Sequence, residues 1–336
     1  MRRGSIVQLV LIGTVVGAGA TLLALLVPWL PPVASEERER IDFVFWFTTA
    51  ICIGIFALVA AVILYAVVKF RARPDDDSDG PPVHGHTGLE IVWTAVPAML
   101  VTAIAIVSGV VLTQNDRIPR DRLVVDVSAQ QFVWSFKYPA YKDLTTGTLR
   151  LPLGKAVQLR ISAVDVIHSF WVPQFGQKQD ALPGQINNLK ITPTKLGEYP
   201  VVCTELCGLG HAVMRTSAIV MQPAAFQAWI RKEQRAIEGG GAGGGTAVYA
   251  NNGCGSCHVF KAAGSTGKIG PDLDKLPEQA RRAGKPLEEF VRESIVDPNA
   301  YIEPGFNPNL MPATYATLPK QQLDALVKFL TAGKGS

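Results

Sequence analysis

The segment Cys203-Thr-Glu205-Leu-Cys207-Gly-Leu-Gly-His211-Ala-Val-Met214 gathers two thiols, an imidazole and a thioether into twelve residues. Soft sulfur ligands combined with imidazole select copper, and a Cys/His set with a weak methionine is the ligand chemistry of electron-transfer copper. A second signature follows in Cys254-Gly-Ser-Cys257-His258. This C-x-x-C-H spacing is the attachment pattern of c-type haem, with two cysteines for thioether bonds and His258 as the proximal ligand. Four of the five cysteines lie in these two motifs, and the fifth, Cys52, sits in an apolar run. That usage points to cofactor ligation rather than a disulfide framework.

Positioning these groups requires a rigid scaffold. From Arg122 to Met221 the hydrophobic period is two: Val157, Leu159 and Ile161 alternate with Gln158, Arg160 and Ser162, and Leu189 and Ile191 alternate with Asn188, Lys190 and Thr192. Short alternating runs separated by Pro/Gly turns predict an antiparallel β-sandwich or barrel of about 100 residues. Such a fold can bring His168, in Asp165-Val-Ile-His168-Ser-Phe-Trp171, to the loop that carries Cys203. Two thiolates spaced by three residues can bridge a pair of metals. A Cys203–Cys207 disulfide or a structural zinc is the competing assignment. Zinc sites more often place two residues between paired cysteines, and either alternative leaves His168 and Met214 without a role.

Three apolar runs occupy the first 113 residues: Ile6–Leu30, Phe43–Val68 and Ile91–Leu112. Each is long enough to cross a hydrocarbon core as a helix, which takes about 20 residues. Lys69, Arg71 and Arg73 follow the second run and place that end on the cytoplasmic side, so the third run delivers the rest of the chain outside. The first run, preceded by Arg2 and Arg3, is read as a leader peptide or an extra transmembrane segment. The formal net charge of +4 gives no argument for nucleic acid.

After the sandwich, Ala224–Ile237 has helical spacing, with Phe226, Trp229 and Ile230 on one face. Gly239–Gly245 holds six glycines in seven residues and predicts a flexible linker. The terminal stretch ends in a helix with Leu323, Leu326, Val327 and Leu330 on one face and Gly333 as its stop. A thioredoxin-like motif or half a zinc site is the alternative for Cys254 and Cys257. Gly270-Pro271-Asp272-Leu273 and Asn309-Leu-Met311-Pro312 downstream argue for haem instead, because a Met/His pair is the axial set of cytochromes c.

Together these motifs resemble subunit II of haem–copper cytochrome c oxidases, with a fused C-terminal class I cytochrome c domain. The resemblance rests on two spans, the C-x-E-x-C-x-x-x-H-x-x-M pattern, the upstream histidine of Asp165-Val-Ile-His168-Ser, and the haem motif. It implies a transmembrane helical hairpin, an all-β cupredoxin-like sandwich and an all-α cytochrome c domain. The expected boundaries are 1–35 for the leader or extra span, 36–115 for the hairpin, 116–223 for the copper domain, 224–246 for helix and linker, and 247–336 for the haem domain. It implies a binuclear CuA centre bridged by Cys203 and Cys207, with His168 and His211 on one copper each and Met214 and the Glu205 carbonyl as weak ligands. The Glu205 side chain would reach a magnesium shared with subunit I. Haem c would lie between His258 and Met311, with the Pro271 carbonyl on the His258 ring N–H.

The resemblance further implies electron flow from cytochrome c or a cytochrome bc complex, through haem and copper, to subunit I, where oxygen is reduced. It implies other oxidase subunits as partners, a bacterial cell membrane, and both cofactor domains on the outer side. Glu90, three residues before Trp93, falls where the family has an acid at the mouth of a proton pathway; the alternative is a solvated acid at a helix N-terminus. Phe132 and Trp134 are candidates for the position where electrons arrive. Many family members have tryptophan at the Phe132 position, and a packed edge aromatic is the alternative role here. From Gln114 to Gln222 there are 12 Lys and Arg against 8 Asp and Glu, so no acidic excess attracts a basic cytochrome. A second functional class is a membrane-tethered haem c/CuA carrier serving another terminal reductase, such as a nitric oxide reductase. A quinol oxidase subunit is disfavoured because that branch loses the copper ligands.

Overall fold

The computed structural model describes residues 3–71, 82, 84–238 and 242–332. Arg2, Arg73, Gly239–Gly241 and Gly333, used above, lie outside the described residues. The chain divides into two compact units: residues 1–32 with 39–115, and residues 33–38 with 116–336.

The first unit is helical. α1 (Arg3–Leu26), α2 (Glu36–Lys69) and α3 (Thr87–Asp116) carry the three apolar runs. All three are long and apolar enough to cross a membrane. Their outward aliphatic side chains suit a lipid solvent, where a helix satisfies its own backbone hydrogen bonds. Glu90 is in the first turn of α3, where its carboxylate accepts the His86 backbone N–H at 3.1 Å. The His86 ring nitrogen in turn accepts the Leu89 N–H at 3.2 Å. Both contacts satisfy donors that a helix start leaves orphaned.

In the second unit ten strands form two five-stranded sheets. They are β1 (Leu123–Gln130), β2 (Val133–Tyr138), β3 (Leu144–Thr146), β4 (Leu149–Pro152) and β5 (Val157–Ala163). There follow β6 (His168–Trp171), β7 (Lys178–Ala181), β8 (Asn187–Ile191), β9 (Gly197–Cys203) and β10 (Arg215–Met221). The sheet orders are β3-β2-β1-β5-β8 and β4-β10-β9-β6-β7. The alternation seen in the sequence is the burial pattern: β1 and β5 alternate buried with half-buried residues along their length. The expected antiparallel sandwich needs one correction. β1 pairs with β5 in parallel, and β10 pairs with β4 in parallel. Both pairs join strands distant in sequence, so long connections permit the parallel register that a hairpin forbids.

Residues 33–38 belong to this unit. Ser35 Oγ–H donates to the Phe175 carbonyl at 3.0 Å and accepts the Arg38 N–H at 3.1 Å. The buried Glu37 carboxylate accepts the Thr192 N–H at 2.8 Å and lies 3.3 Å from Lys190 Nζ. Desolvating two charges is tolerated when they pair and fill their remaining hydrogen bonds.

α4 (Pro223–Glu238) follows, and the predicted apolar face is present: Phe226 and Ile230 are buried, and Phe226 packs on Tyr138 and Tyr141. The haem-motif region then comprises α5 (Ala242–Asn251), α6 (Cys254–Cys257), α7 (Leu276–Arg282), α8 (Leu287–Val296) and α9 (Lys320–Ala332). Its core of Tyr249, Phe260, Phe290, Leu326 and Phe329 is separate from the sandwich core.

The glycine tract is not a linker throughout. Gly243, Gly244 and Gly245 belong to α5, and a Cβ on Gly245 would collide with the Ala325 carbonyl and Phe329 Cβ of α9. Close helix approach, rather than flexibility, explains that glycine. Gly245→Val is therefore expected to destabilise the haem domain by about 1–3 kcal/mol, the cost of overpacking. A lower melting midpoint for the haem absorbance band, with the copper band unmoved, would confirm it.

Candidate functional site

The copper-type residues converge at one end of the sandwich. β6 opens with His168 and β9 closes with Cys203, and these strands pair, with Phe170 opposite Cys203. The loop after β9 then carries Glu205, Cys207, His211 and Met214. Cys203 Sγ lies 3.9 Å from Cys207 Sγ, so the two are free thiols rather than a disulfide. Each sulfur has its own imidazole: His168 Nδ1 is 3.9 Å from Cys203 Sγ, and His211 Nδ1 is 3.6 Å from Cys207 Sγ. The Glu205 carbonyl is 3.2 Å from Cys203 Sγ and Met214 Sδ is 3.8 Å from Cys207 Sγ. His168, Cys203 and Cys207 also form a tight group able to hold a metal ion. The Glu205 side chain itself is exposed.

Electrostatics make this a cation site. Burial works against the Cys203 thiolate, yet contacts with His168 and with the Ser169 and Glu205 backbone reverse that and lower its pKa. Burial and the neighbouring Cys203 charge raise the Cys207 pKa. Two buried thiolates this close cannot both ionise unless a positive charge joins them. His168 is oriented for the task. Its Nε2–H donates to Asp165 Oδ1 at 2.8 Å, which leaves Nδ1 as the electron-pair donor facing the sulfur. A carboxylate holding the far nitrogen of a ligand histidine is the usual outer support of metal sites. Asp165, three residues before His168, was within reach of sequence reasoning through that pattern but was not singled out.

With its pKa raised by burial and by Cys203, Cys207 keeps its proton near neutrality and must lose it when metal binds. Apparent copper affinity is therefore expected to rise with pH around neutrality, by about tenfold per pH unit for each ligand proton released. Competition titration against a chelator across pH measures this. A flat profile would mean that Cys207 is already ionised without metal.

The second cluster lines a cleft whose empty volume, open mouth included, is about 1290 Å³. Its walls include Cys254, Cys257, His258 and Met311, with aliphatic and aromatic side chains of α7, α8 and α9. His258 Nδ1–H donates to the Pro271 carbonyl at 2.7 Å, as the resemblance to cytochrome c implies, so Nε2 is the free electron-pair donor. Burial holds the His258 pKa below the usual histidine range, which keeps the imidazole neutral and able to ligate. Burial pushes Cys254 up to about 12 and raises Cys257 too. Reactive disulfide-exchange cysteines have lowered values instead, so the thioredoxin-like alternative does not fit. An apolar cleft with two free cysteines and an oriented neutral histidine fits haem.

Phe132 and Trp134 are both buried, at 5 % and 1 % exposure. Trp134 stands edge-on to His168, with ring centroids 6.3 Å apart. Phe132 forms part of the haem cleft wall.

The fold and its two ligand clusters define a membrane-anchored cupredoxin carrying a class I cytochrome c. Residues 24–111 match the transmembrane domain and residues 146–222 the periplasmic domain of cytochrome c oxidase subunit II, and residues 243–334 match cytochrome c. Cytochrome c oxidase subunit 2 of Thermostichus vulcanus is 36% identical over 61% of this chain and 78% of its own. That of Alkalihalophilus pseudofirmus is 31% identical over 82% of each chain. That of Bacillus subtilis is 29% identical over 94% of this chain and 92% of its own. The chain belongs to the cytochrome c oxidase subunit II family and carries a fused cytochrome c domain. It is a membrane protein with a copper-binding domain and a haem domain, and it partners subunit I of an oxidoreductase.

Proposed function

We propose that this chain accepts electrons at its haem domain and relays them through a binuclear copper centre to subunit I, which reduces oxygen to water. The pairing of each thiol with its own imidazole supports the two-copper assignment most directly. Cys203, Cys207, His168 and His211 would hold the copper, with Met214 and the Glu205 carbonyl as weaker ligands. Cys254 and Cys257 would anchor the haem and His258 and Met311 would ligate its iron, all four lining the same cleft. Bound in these places, haem and copper would supply one-electron redox chemistry. The protein's own residues supply burial, which excludes water, and fixed ligand orientation through Asp165 and Pro271.

The outer location of both domains is supported by Lys69 and Arg71 at the end of α2. A magnesium shared with subunit I would use the exposed Glu205 carboxylate. Glu90 is proposed as the mouth of a proton path; its contacts within this chain are those of a helix cap. The donor is proposed to be a cytochrome c or a cytochrome bc complex.

Metal and haem analysis of the purified full chain, with optical and electron-spin-resonance spectra, tests the assignment. One covalent haem and an electron shared between two coppers are expected. A single isolated copper, or zinc, would overturn it.

A further inference from the structure

The turn between β1 and β2 touches both redox sites. Gln131, Phe132 and Val133 share the haem cleft with Cys254, Cys257 and Met311. The same turn grips the copper loop. The Gln131 side-chain Nε2–H donates to the Cys207 carbonyl at 2.6 Å. The Gln131 backbone N–H donates to Asp165 Oδ2 at 2.7 Å, and the other oxygen of that carboxylate holds His168. The Phe132 ring occupies the room left by Gly208 and Gly210. A Cβ on Gly208 would lie 2.8 Å from Gln131 Nε2 and 3.2 Å from the ring, and one on Gly210 would collide with the ring. Gln131 is thus tied to both cysteine- and histidine-bearing segments, 76 and 34 residues away in sequence. Among the described residues, no other wall of the cleft is hydrogen-bonded to a ligand of the copper cluster.

We propose that Gln131 is the positioning residue that couples the two cofactor sites within this chain: its amide joins the haem cleft to the backbone of Cys207 and carries the electronic contact between them. This rests on the reading that haem passes electrons to copper. The step moves one electron, with ferrous iron becoming ferric and the oxidised copper pair gaining that electron. No bond is made or broken and no proton moves, so Gln131 acts through its hydrogen bond alone. Phe132, enclosed between the cleft and the copper loop, packs this seam rather than offering a face to an outside protein.

The test uses the assembled oxidase. A photochemical one-electron reductant reduces the haem, and the haem and copper absorption bands report transfer between them. Gln131→Met keeps the length and removes the donor. It is expected to slow haem-to-copper transfer by about tenfold, the lower end of what outer partners of metal ligands contribute. Copper content, copper spectrum and both potentials should stay as in the wild type. Lys195→Ala, an exposed position outside both the cleft and the copper cluster, should leave the rate unchanged. If Gln131→Met does not load copper, Gln131→Asn, which keeps an amide with one methylene less reach, is expected to show the same slowing. An unchanged rate in the glutamine variant overturns the proposal. So does a slowing matched by a shifted copper spectrum or potential, since lost driving force then explains it, and so does equal slowing in Lys195→Ala. Absence of haem-to-copper transfer in the wild type would instead defeat the functional reading itself.

Discussion

Cys207→Ser is expected to abolish the copper centre and leave the covalent haem in place. Cys207 Sγ contacts three other members of the cluster, Cys203 at 3.9 Å, His211 at 3.6 Å and Met214 at 3.8 Å. Serine keeps the size and hydrogen-bonding capacity but supplies a hard, neutral hydroxyl where copper selects soft thiolate. The loss should exceed the roughly 10–100-fold that removing an outer partner costs in metal affinity. Haem binding should survive because the haem region has its own core around Tyr249, Phe260, Phe290 and Phe329. Copper and haem quantification with spin resonance checks both halves. Retention of a two-copper signal would remove Cys207 from the ligand set, and parallel loss of haem would mean that the two sites do not load independently. Loss of copper should also stop oxygen consumption driven by the physiological donor.

Deleting residues 247–336 is expected to reduce turnover with the physiological donor by about 10²-fold or more, the range that tethering confers over free encounter. The copper domain has no acidic excess with which to recruit a basic cytochrome. With the haem domain in place Phe132 is only 5 % exposed, so no open aromatic platform faces solvent there. Small artificial reductants, which need no docking surface, should still reduce the copper in the truncated protein. Steady-state oxygen uptake with each class of donor separates the two effects. Undiminished turnover with the physiological donor would show that the haem domain is not its obligatory point of arrival.

Much of the chemistry was legible in residue type and spacing. A CxxCH run, and a twelve-residue string with two cysteines, a histidine and a methionine, point to haem and to copper because ligand softness and coordination number belong to the side chains themselves. The three long apolar helices were legible for a similar reason, since length and apolarity are properties of one contiguous segment. Strand alternation also showed directly, because side chains of a half-buried strand take opposite faces in turn. Two features of the fold did not. Parallel pairing of β1 with β5 depends on which strands meet after long connections, and local periodicity carries no record of that. Gly243–Gly245 share the composition of a linker, and only the approach of α9 distinguishes a helix-packing glycine from a flexible one.

The amino-acid sequence by itself determined which ligands this protein offers and which cofactors they suit, because donor chemistry is local. Tertiary structure alone decided how those ligands are paired and joined: which imidazole stands by which thiol, that Asp165 holds His168, and that the Gln131 amide reaches the Cys207 carbonyl. These are contacts between segments tens of residues apart, set by the sandwich and its loops, and their geometry exists only once the chain has closed around them.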